Sequence, residues 1–387
     1  MPSMILLNHM KKINPLAYIE LSEKNLIHNI RQFKNLAKKG TKFSVAIKGN
    51  AYGHGQNEMA RMLEPHADYF QVNSMEELKL LRKVSRKKTF LFGYVPKSDL
   101  FDAIKLGCIL AFFSLGQLKE LNKISQKLKI RQEIHIPFDA YLGREGFLLA
   151  ELPKLFREIK KCEYVKVSGI YAHFANIEDT LNFIHAQKQI DEYDKAIELA
   201  RDFGFKNLDT HISGTSGLLA YEKGLGINSL IRLGVGVYGM WPSLGIQKMY
   251  KNKIELRSVL SWKTKIAQIK TLPKGSTVGY GLTYKTKKET KIAVIPQGYA
   301  DGLDRGLSNE GEVLVADTRC SIVGRISMNM FTVDVSHVPK VKIEDEVMIL
   351  GRQGKEEITA EEMAGRIGTI NYEITARISS LLPRVVS

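Results

Sequence analysis

Lys48 closes an apolar run, Phe43–Ile47, and is followed within seven positions by Gly49, Asn50, Gly53 and Gly55. The run reads as a buried strand. The glycines and asparagine read as a loop that turns sharply or approaches a ligand closely. A lysine at the mouth of a buried strand is desolvated, which lowers its pKa and makes it a usable nucleophile or base. Lysine is also the side chain that forms a Schiff base with pyridoxal phosphate. The other reading of the same pattern is a strand end whose lysine snorkels to solvent. Further along, Arg144, His173, His211 and Arg232 each stand at or just beyond the end of a short apolar run, and Ser213-Gly214-Thr215-Ser216-Gly217 is a small-residue loop. Such a loop lets backbone N–H groups and hydroxyls reach a phosphate. Taken singly, the loop reads as an ordinary turn, the arginines as surface ion pairs and the histidines as structural residues. Tyr280, in Thr277-Val278-Gly279-Tyr280-Gly281, is either an aromatic at a β-turn or an acid/base group. A phenol with an ordinary pKa near 10 needs a positive neighbour to act as a base near neutral pH.

These side chains matter only if the fold gathers them. From about residue 43 to 240, short apolar runs alternate with amphipathic helical stretches. The expected strands are Phe43–Ile47, Tyr69–Val72, Thr89–Phe92, Ile109–Phe113, Glu133–Ile136, Val167–Tyr171, Leu208–Ile212 and Leu230–Leu233. Helices are expected at Met75–Val84, Leu115–Leu128, Phe147–Lys160 and Thr180–Phe203, with Ser74 and Glu77 as a capping box, and a further helix over Ser22–Lys38 covering the barrel. Eight strand–helix repeats predict an α/β fold, a (β/α)8 TIM-type barrel whose chemistry sits at the C-terminal ends of its strands. Beyond about residue 250 the texture changes to Val-, Ile- and Thr-rich segments: Ile254–Thr271, Lys291–Pro296, Glu312–Val315, Ser321–Val323, Phe331–Val335 and Glu346–Leu350. They predict a mostly antiparallel β domain with one helix, Ala360–Ile367. The boundary is expected within Pro242–Lys253, giving a barrel at 15–245 and a β domain at 246–387, with residues 1–14 packing on it.

Composition narrows the function classes. Of 387 residues, 44% are hydrophobic, enough for a large core, and no apolar run reaches the length of a membrane span. Lys11 and Lys12 follow the short N-terminal apolar patch, the wrong order for a signal peptide. Cys108, Cys162 and Cys320 have no metal-ligand spacing and suit a reduced cytoplasm, so no metal is expected. The net charge of +16 invites a nucleic-acid partner, but the lysines are spread along helical stretches such as Lys119–Lys129, which reads as a solvated surface. The charge favours anionic ligands.

The string Val45-Ala46-Ile47-Lys48-Gly49-Asn50-Ala51-Tyr52-Gly53-His54-Gly55 resembles the cofactor-lysine motif of alanine racemases, V-x-K-A-N-A-Y-G-H-G, with Gly49 in the place of an alanine. The resemblance runs along nearly the whole chain. It implies that Lys48 carries pyridoxal phosphate and that Tyr52 helps hold its phosphate. His211–Gly217 resembles the family's phosphate loop, where Asn-Ser commonly stands at Gly214-Thr215, so phosphate binding carries over to Thr215. Ile231-Arg232-Leu233-Gly234-Val235-Gly236 resembles the segment whose arginine meets the pyridine nitrogen, with Gly234 and Val235 beside the cofactor. A guanidinium does not readily release a proton, so that nitrogen would stay unprotonated and the electron sink weak. His173 and His211 would hold Arg232 and Lys48 in place, and Tyr372 would contact the phosphate and narrow the entrance.

The same resemblance implies a two-base racemisation of alanine by Lys48 and Tyr280, supplying D-alanine for peptidoglycan. Tyr280 would reach the active site of the other subunit of a cytoplasmic homodimer. Arg144, Met328 and Asn329 would bind the substrate, and Glu178, Arg305 and Arg325 would line the entrance. A racemase of broader scope, a barrel-type amino-acid decarboxylase and a non-catalytic pyridoxal-phosphate carrier are the competing readings; no nucleic acid or membrane partner is expected. Three departures from the pattern stand out. Asn329 replaces an aspartate. Asn176-Ile177 replaces a usual threonine or serine near the entrance acid. Asp139-Ala140-Tyr141-Leu142-Gly143-Arg144 replaces D-T-G-M-G-R, and Pro137 stands where many relatives carry a lysine that becomes carbamylated and orients this arginine. That carbamate cannot form here, so either another group, such as an anion, orients Arg144 or its conformation is looser.

Overall fold

The computed structural model of the protein describes residues 15–178, 182–220 and 229–387. The expectations for residues 1–14, and for the first residues of the helix beginning at Thr180, lie outside the described residues. The chain divides into two compact units, Ser22–Val259 and Leu260–Ser387, the latter taking in residues 15–21.

The first unit is an eight-stranded parallel barrel. Its strands are Lys42–Ala46, Tyr69–Val72, Thr89–Leu91, Ile109–Leu110, Gln132–Pro137, Val165–Tyr171, Asp209–His211 and Leu230–Leu233. Six neighbour pairings link the first strand through to the seventh, and the first strand also pairs with the eighth. The seventh and eighth are tied by two backbone bonds of 3.0 Å, Ser229 N–H to the Thr210 carbonyl and Arg232 N–H to the Ser213 carbonyl, so the ring is nearly closed. Strands covered on both faces read as unbroken apolar runs; every residue of Tyr69–Val72 is buried. Aromatic rings fill the interior. Phe90 stacks on Phe92 with centroids 5.1 Å apart, and Tyr171 stacks on His211 at 5.4 Å.

The intervening helices follow their local signals. Leu115–Leu128 starts where the Ser114 hydroxyl accepts from Gln117 N–H. The expected helix over Phe147–Lys160 is instead a single 3₁₀ turn, Leu149–Glu151, followed by the α-helix Leu152–Lys160. Pro153 accounts for the break, because proline suits the first turn of a helix and not its interior. Helix Glu23–Leu36 buries Leu26, Ile30 and Phe33. A methyl added at Gly236 would stand 2.5 Å from the Phe33 ring and 2.6 Å from Thr215 Cγ2. The helix therefore backs the loops that follow the seventh and eighth strands.

The second unit is mostly antiparallel. Its main sheet runs Thr318–Ser321, Glu312–Val315, Glu346–Gln353, Leu260–Lys265, Tyr18–Leu21, Arg384–Val386. A three-stranded sheet of Gln268–Leu272, Thr290–Ile295 and Phe331–Asp334, and a hairpin of Thr277–Val278 with Tyr284–Lys285, complete it. Four expectations change. Residues 15–21 belong here and not to the barrel, because Tyr18–Leu21 pairs with Leu260–Lys265 and Arg384–Val386. The segment Ile254–Thr271 is no single strand: it breaks after Lys265, and its two halves enter different sheets. The strand placed at Ser321–Val323 is Thr318–Ser321, with Ile322 making only an isolated bridge to Val333. The division falls at Val259/Leu260, beyond Pro242–Lys253, since 244–250 forms a helix of the first unit and Leu260 is the first residue to enter the second unit's sheet.

Candidate active site

Lys48 stands two residues beyond the end of the first barrel strand, Lys42–Ala46, and opens onto a cavity of about 590 Å³. Burial lowers the lysine's pKa and the Arg144 charge lowers it further, with Glu77 opposing. The residues after Lys48 turn the wrong way for L-amino acids: Gly49, Asn50 and Ala51 have φ/ψ of 60/44°, 52/43° and 54/50°, and Tyr52 has φ 53°. This is one turn of left-handed helix, costing about 1–2 kcal/mol per non-glycine residue. Strain of this kind persists only where the surroundings over-determine it. The Glu77 carboxylate accepts from Gly49 N–H at 2.6 Å and from Asn73 N–H at 2.7 Å. Asn50 Oδ1 accepts from Gln56 N–H at 2.9 Å, and the Tyr52 ring packs 5.3 Å from that of Tyr238. The expected capping box is thus half right. Ser74 Oγ does accept from Glu77 N–H, but the Glu77 carboxylate leaves the box to hold the lysine loop.

Arg232, on the eighth strand, is buried among acceptors. Nη1 donates to the carbonyl and to Nδ1 of His211, both at 2.6 Å. Nη2 donates to the carbonyls of Ala172 (2.7 Å) and Ile212 (3.2 Å) and to Nδ1 of His173 (3.1 Å). Nε has no partner among the described residues, and the residue lines the cavity. Burial brings its pKa down to about 10, so it stays charged at neutral pH. Burial, with Arg232 adding, lowers His173 to about 3 and His211 well below its ordinary value, so both are neutral acceptors.

Beside this network is a cradle of small groups. Thr215 Oγ1 accepts from Gly234 N–H at 3.1 Å, and a methyl added at Gly234 would stand 3.1 Å from the Tyr52 hydroxyl. Burial raises that hydroxyl's pKa to about 12, which keeps it a donor. Val235 is buried and begins the turn Val235–Tyr238. Glu178 lies against the same loop, its carboxyl accepting from Ser216 Oγ at 2.9 Å and raised by burial. Lys48, Arg144, His173 and Arg232 all line the one cavity, together with Tyr171, the aromatic wall of Phe92, Tyr94 and Phe113, and Glu145. Glu145 and Tyr94 were not anticipated, and Glu77 was expected only as a helix cap. The signal for Glu145 and Tyr94 in the sequence is position alone, eight and three residues beyond a strand end.

The remaining expected residues are in the second unit. Tyr280 is 73% exposed, between Gly279 and Gly281 at φ 74° and 70°. A methyl at Gly281 would stand 3.1 Å from Arg325 Nη1, so this guanidinium lies beside the tyrosine's turn. Ser308 Oγ donates to the Arg305 carbonyl and accepts from Ile326 N–H at 3.0 Å, joining the Arg305 and Arg325 segments. Met328 and Asn329 are exposed on the same loop, and Tyr372 stands half-buried on helix Asn371–Ala376.

Comparison with known proteins agrees along the whole chain. The family profile described as "Alanine racemase, N-terminal domain" matches residues 21–242, and "Alanine racemase, C-terminal domain" matches residues 259–386. An alanine racemase of Leptospira interrogans is 33% identical over 96% of this chain and 95% of its own. Alanine racemase 1 of Caldanaerobacter subterraneus is 36% identical over 93% and 92%. Among solved structures, an alanine racemase of Clostridium difficile superposes with a TM-score of 0.90 at 30% identity, covering 97% of both chains. A histidine racemase of Leuconostoc mesenteroides superposes at 0.87 with 26% identity, covering 97% of this chain and 99% of its own. The chain belongs to the alanine racemase family.

Proposed function

We propose that the protein is a pyridoxal-phosphate-dependent racemase that interconverts L- and D-alanine with two bases, Lys48 and Tyr280. In this reading it works as a cytoplasmic homodimer and supplies D-alanine for peptidoglycan synthesis. The observation that carries the reading is the sharing of one cavity by a lysine of lowered pKa and a buried arginine with one N–H unpartnered among the described residues. A phosphorylated pyridine aldehyde fits these groups: the lysine for its aldehyde, the Arg232 Nε–H for its ring nitrogen, and the small-residue cradle for its phosphate.

When bound, pyridoxal phosphate withdraws electron density from the amino acid's Cα, so that the proton there becomes removable. The chain's own residues do the rest. Tyr52, Thr215, Gly234 and Val235 hold the phosphate, with Tyr372 closing on it. Arg232 would offer Nε–H to the ring nitrogen and, because a guanidinium does not readily release a proton, would leave that nitrogen unprotonated. His211 and His173, as neutral acceptors, fix the guanidinium in that pose. Lys48, its pKa lowered by burial, exchanges a proton at one face of Cα, and Tyr280 serves the opposite face. Arg144, Met328 and Asn329 receive the substrate, past an entrance lined by Glu178, Arg305 and Arg325. The exposure of Tyr280, together with Leu282, Met328 and Met330, supports a second copy as the site it completes, since exposed apolar groups mark surfaces that a partner covers. Three buried free cysteines suit a reducing compartment.

The test is incubation of the protein, loaded with pyridoxal phosphate, with L-alanine in heavy water. Chiral analysis and mass measurement of both products follow. D-alanine carrying deuterium at Cα supports the proposal; no exchange with cofactor bound overturns it. A broader substrate range is the second reading, favoured by the likeness to a histidine racemase. L-serine and L-histidine in the same assay decide it.

A further inference from the structure

The loop that carries Arg144 has a fixed backbone and a side chain that the backbone does not fix. Phe147 N–H donates to the Pro137 carbonyl at 3.0 Å and Asp139 N–H to the Phe147 carbonyl at 3.1 Å, closing the loop at its base. The Asp139 carboxylate accepts from the N–H groups of Leu142 (2.8 Å) and Gly143 (3.0 Å). A methyl added at Gly146 would stand 2.6 Å from Asp139 N, so the chain there has no room to shift. An arginine at the tip of such a loop still has a long flexible stem, and ordering it takes a partner. Pro137, at the end of the fifth strand, offers no side-chain acceptor.

The partner is Glu145. Nε and Nη2 of Arg144 meet the two carboxylate oxygens, Nη2 at 2.7 Å. This is a two-pronged pairing of the kind that fixes a guanidinium's plane. It occupies one edge of the fork and leaves Nη1 with no partner among the described residues. Among the described residues Glu145 is the only carboxylate lining the cavity, whose cations are Lys48, Arg144 and Arg232. Burial works to raise the Glu145 carboxyl, but Arg144 outweighs it, with Lys48 adding, and holds it below the usual carboxylate value.

We propose that Glu145 is a positioning residue: it holds Arg144 so that the free Nη1 edge meets the carboxylate of a ligand in the cavity, the task for which Pro137 has no group. The inference rests on reading the cavity as an amino-acid site. It makes an unusual prediction of sign. By charge alone, deleting a carboxylate from an anion site strengthens anion binding; if Glu145 works through Arg144, deleting it weakens binding.

The probe is propionate, a carboxylate that lacks the amino group and cannot react, titrated calorimetrically into the cofactor-loaded protein. Glu145→Ala is expected to weaken propionate about tenfold, the scale of a misplaced contact. It should also raise KM for L-alanine more than it lowers kcat. Glu145→Asp should recover part of the loss, and Glu145→Gln, which keeps the volume, should fall between. Arg144→Ala/Glu145→Ala should bind propionate no more weakly than Arg144→Ala alone, because Glu145 acts only through Arg144. Propionate binding that is unchanged or tighter in Glu145→Ala overturns the proposal. So does a double variant that loses the sum of both single effects, or a wild-type protein that does not bind propionate. Absence of racemisation alongside the expected propionate pattern would instead overturn the racemase reading and leave the positioning role standing.

Discussion

Arg232 and His211 share a hydrogen bond, Nη1 to Nδ1 at 2.6 Å, that dictates where three histidines keep their protons. A guanidinium can only donate. His211 Nδ1 must therefore accept, and its proton sits on Nε2, which faces His135 Nδ1 at 2.8 Å. His135 in turn carries its proton on Nε2, where it is buried without a partner. His173, accepting at Nδ1, is also a neutral ring. One arginine thus fixes a line of uncharged imidazoles behind the cavity.

A pH dependence of stability follows from this line. Burial lowers His135 to about 3, and His211 falls well below 6.5 for the same reason. The unfolded chain protonates both near pH 6.5 while the folded chain does not, so stability is full above that pH and is lost as pH falls below it. Each fully buried histidine contributes a loss of about 1.4 kcal/mol per pH unit in that window. Urea midpoints measured from pH 7 to 5 should fall, and His135→Asn should reduce the slope by about one histidine's share. A wild-type midpoint that stays flat over this range would sink the assignment.

Lys48 should be the most reactive lysine of the cofactor-free protein. Its pKa is lowered by burial and by Arg144, so more of it is free amine at pH 8 than of any solvated surface lysine. Borohydride reduction in the presence of pyridoxal phosphate, followed by peptide mass analysis, should place the label on Lys48 first. Lys48→Ala should abolish the label, and a retained label would show that another lysine does the work.

Tyr280→Phe tests the second base without threatening the fold. The side chain is exposed, so its loss should leave thermal stability within about 0.5 kcal/mol. Removal of the proton from L-alanine should slow by about 10²–10⁴-fold, the usual contribution of a positioned acid/base group. Cofactor absorbance should be retained; its disappearance would count against the assignment.

Glu77→Gln removes one of the two acceptor oxygens that hold Gly49 and Asn73 N–H. A backbone donor left without a partner costs about 1–3 kcal/mol. Denaturation midpoints should shift accordingly, and the dissociation constant for pyridoxal phosphate should rise, because the lysine loop is less well held. Unchanged cofactor affinity would separate the carboxylate from the site.

Gly234→Ala tests the cradle. Its methyl would crowd the Tyr52 hydroxyl at 3.1 Å, and its φ/ψ of −118/−120° lies outside the regions that L-residues favour. Weaker cofactor binding is expected together with a stability loss of about 1–3 kcal/mol, read by fluorescence titration and thermal melting side by side. Equal affinity would move the phosphate elsewhere.

Much of this was legible in the sequence because strong local patterns agreed with the tertiary outcome. Tyr69–Val72, Leu230–Leu233 and Leu115–Leu128 form where apolar runs and a serine cap predict them. Lys48, Arg144, His173 and Arg232 share a cavity because a barrel puts all its strand ends on one rim. Tyr18–Leu21 was missed because four alternating residues carry little signal, and its partners, Leu260–Lys265 and Arg384–Val386, lie far along the chain. The destination of the Glu77 carboxylate was missed because capping patterns describe a helix's own N-terminus, and Gly49 is 28 residues away. Glu145 looked like any loop charge, since nothing in the order of residues says that an arginine will fold back onto its neighbour.

The reversed turn after Lys48 also bears on how the barrel breathes. Its three non-glycine residues hold about 3–6 kcal/mol of conformational energy that is released when the segment opens. Amide hydrogens of residues 49–55 should therefore exchange with solvent ahead of those in the flanking strands, although Ala51 and residues 53–55 are buried. A ligand bridging Lys48 and Tyr52 would act as a clasp across the opening segment, so that occupancy of the cavity is recorded as local protection of this one loop.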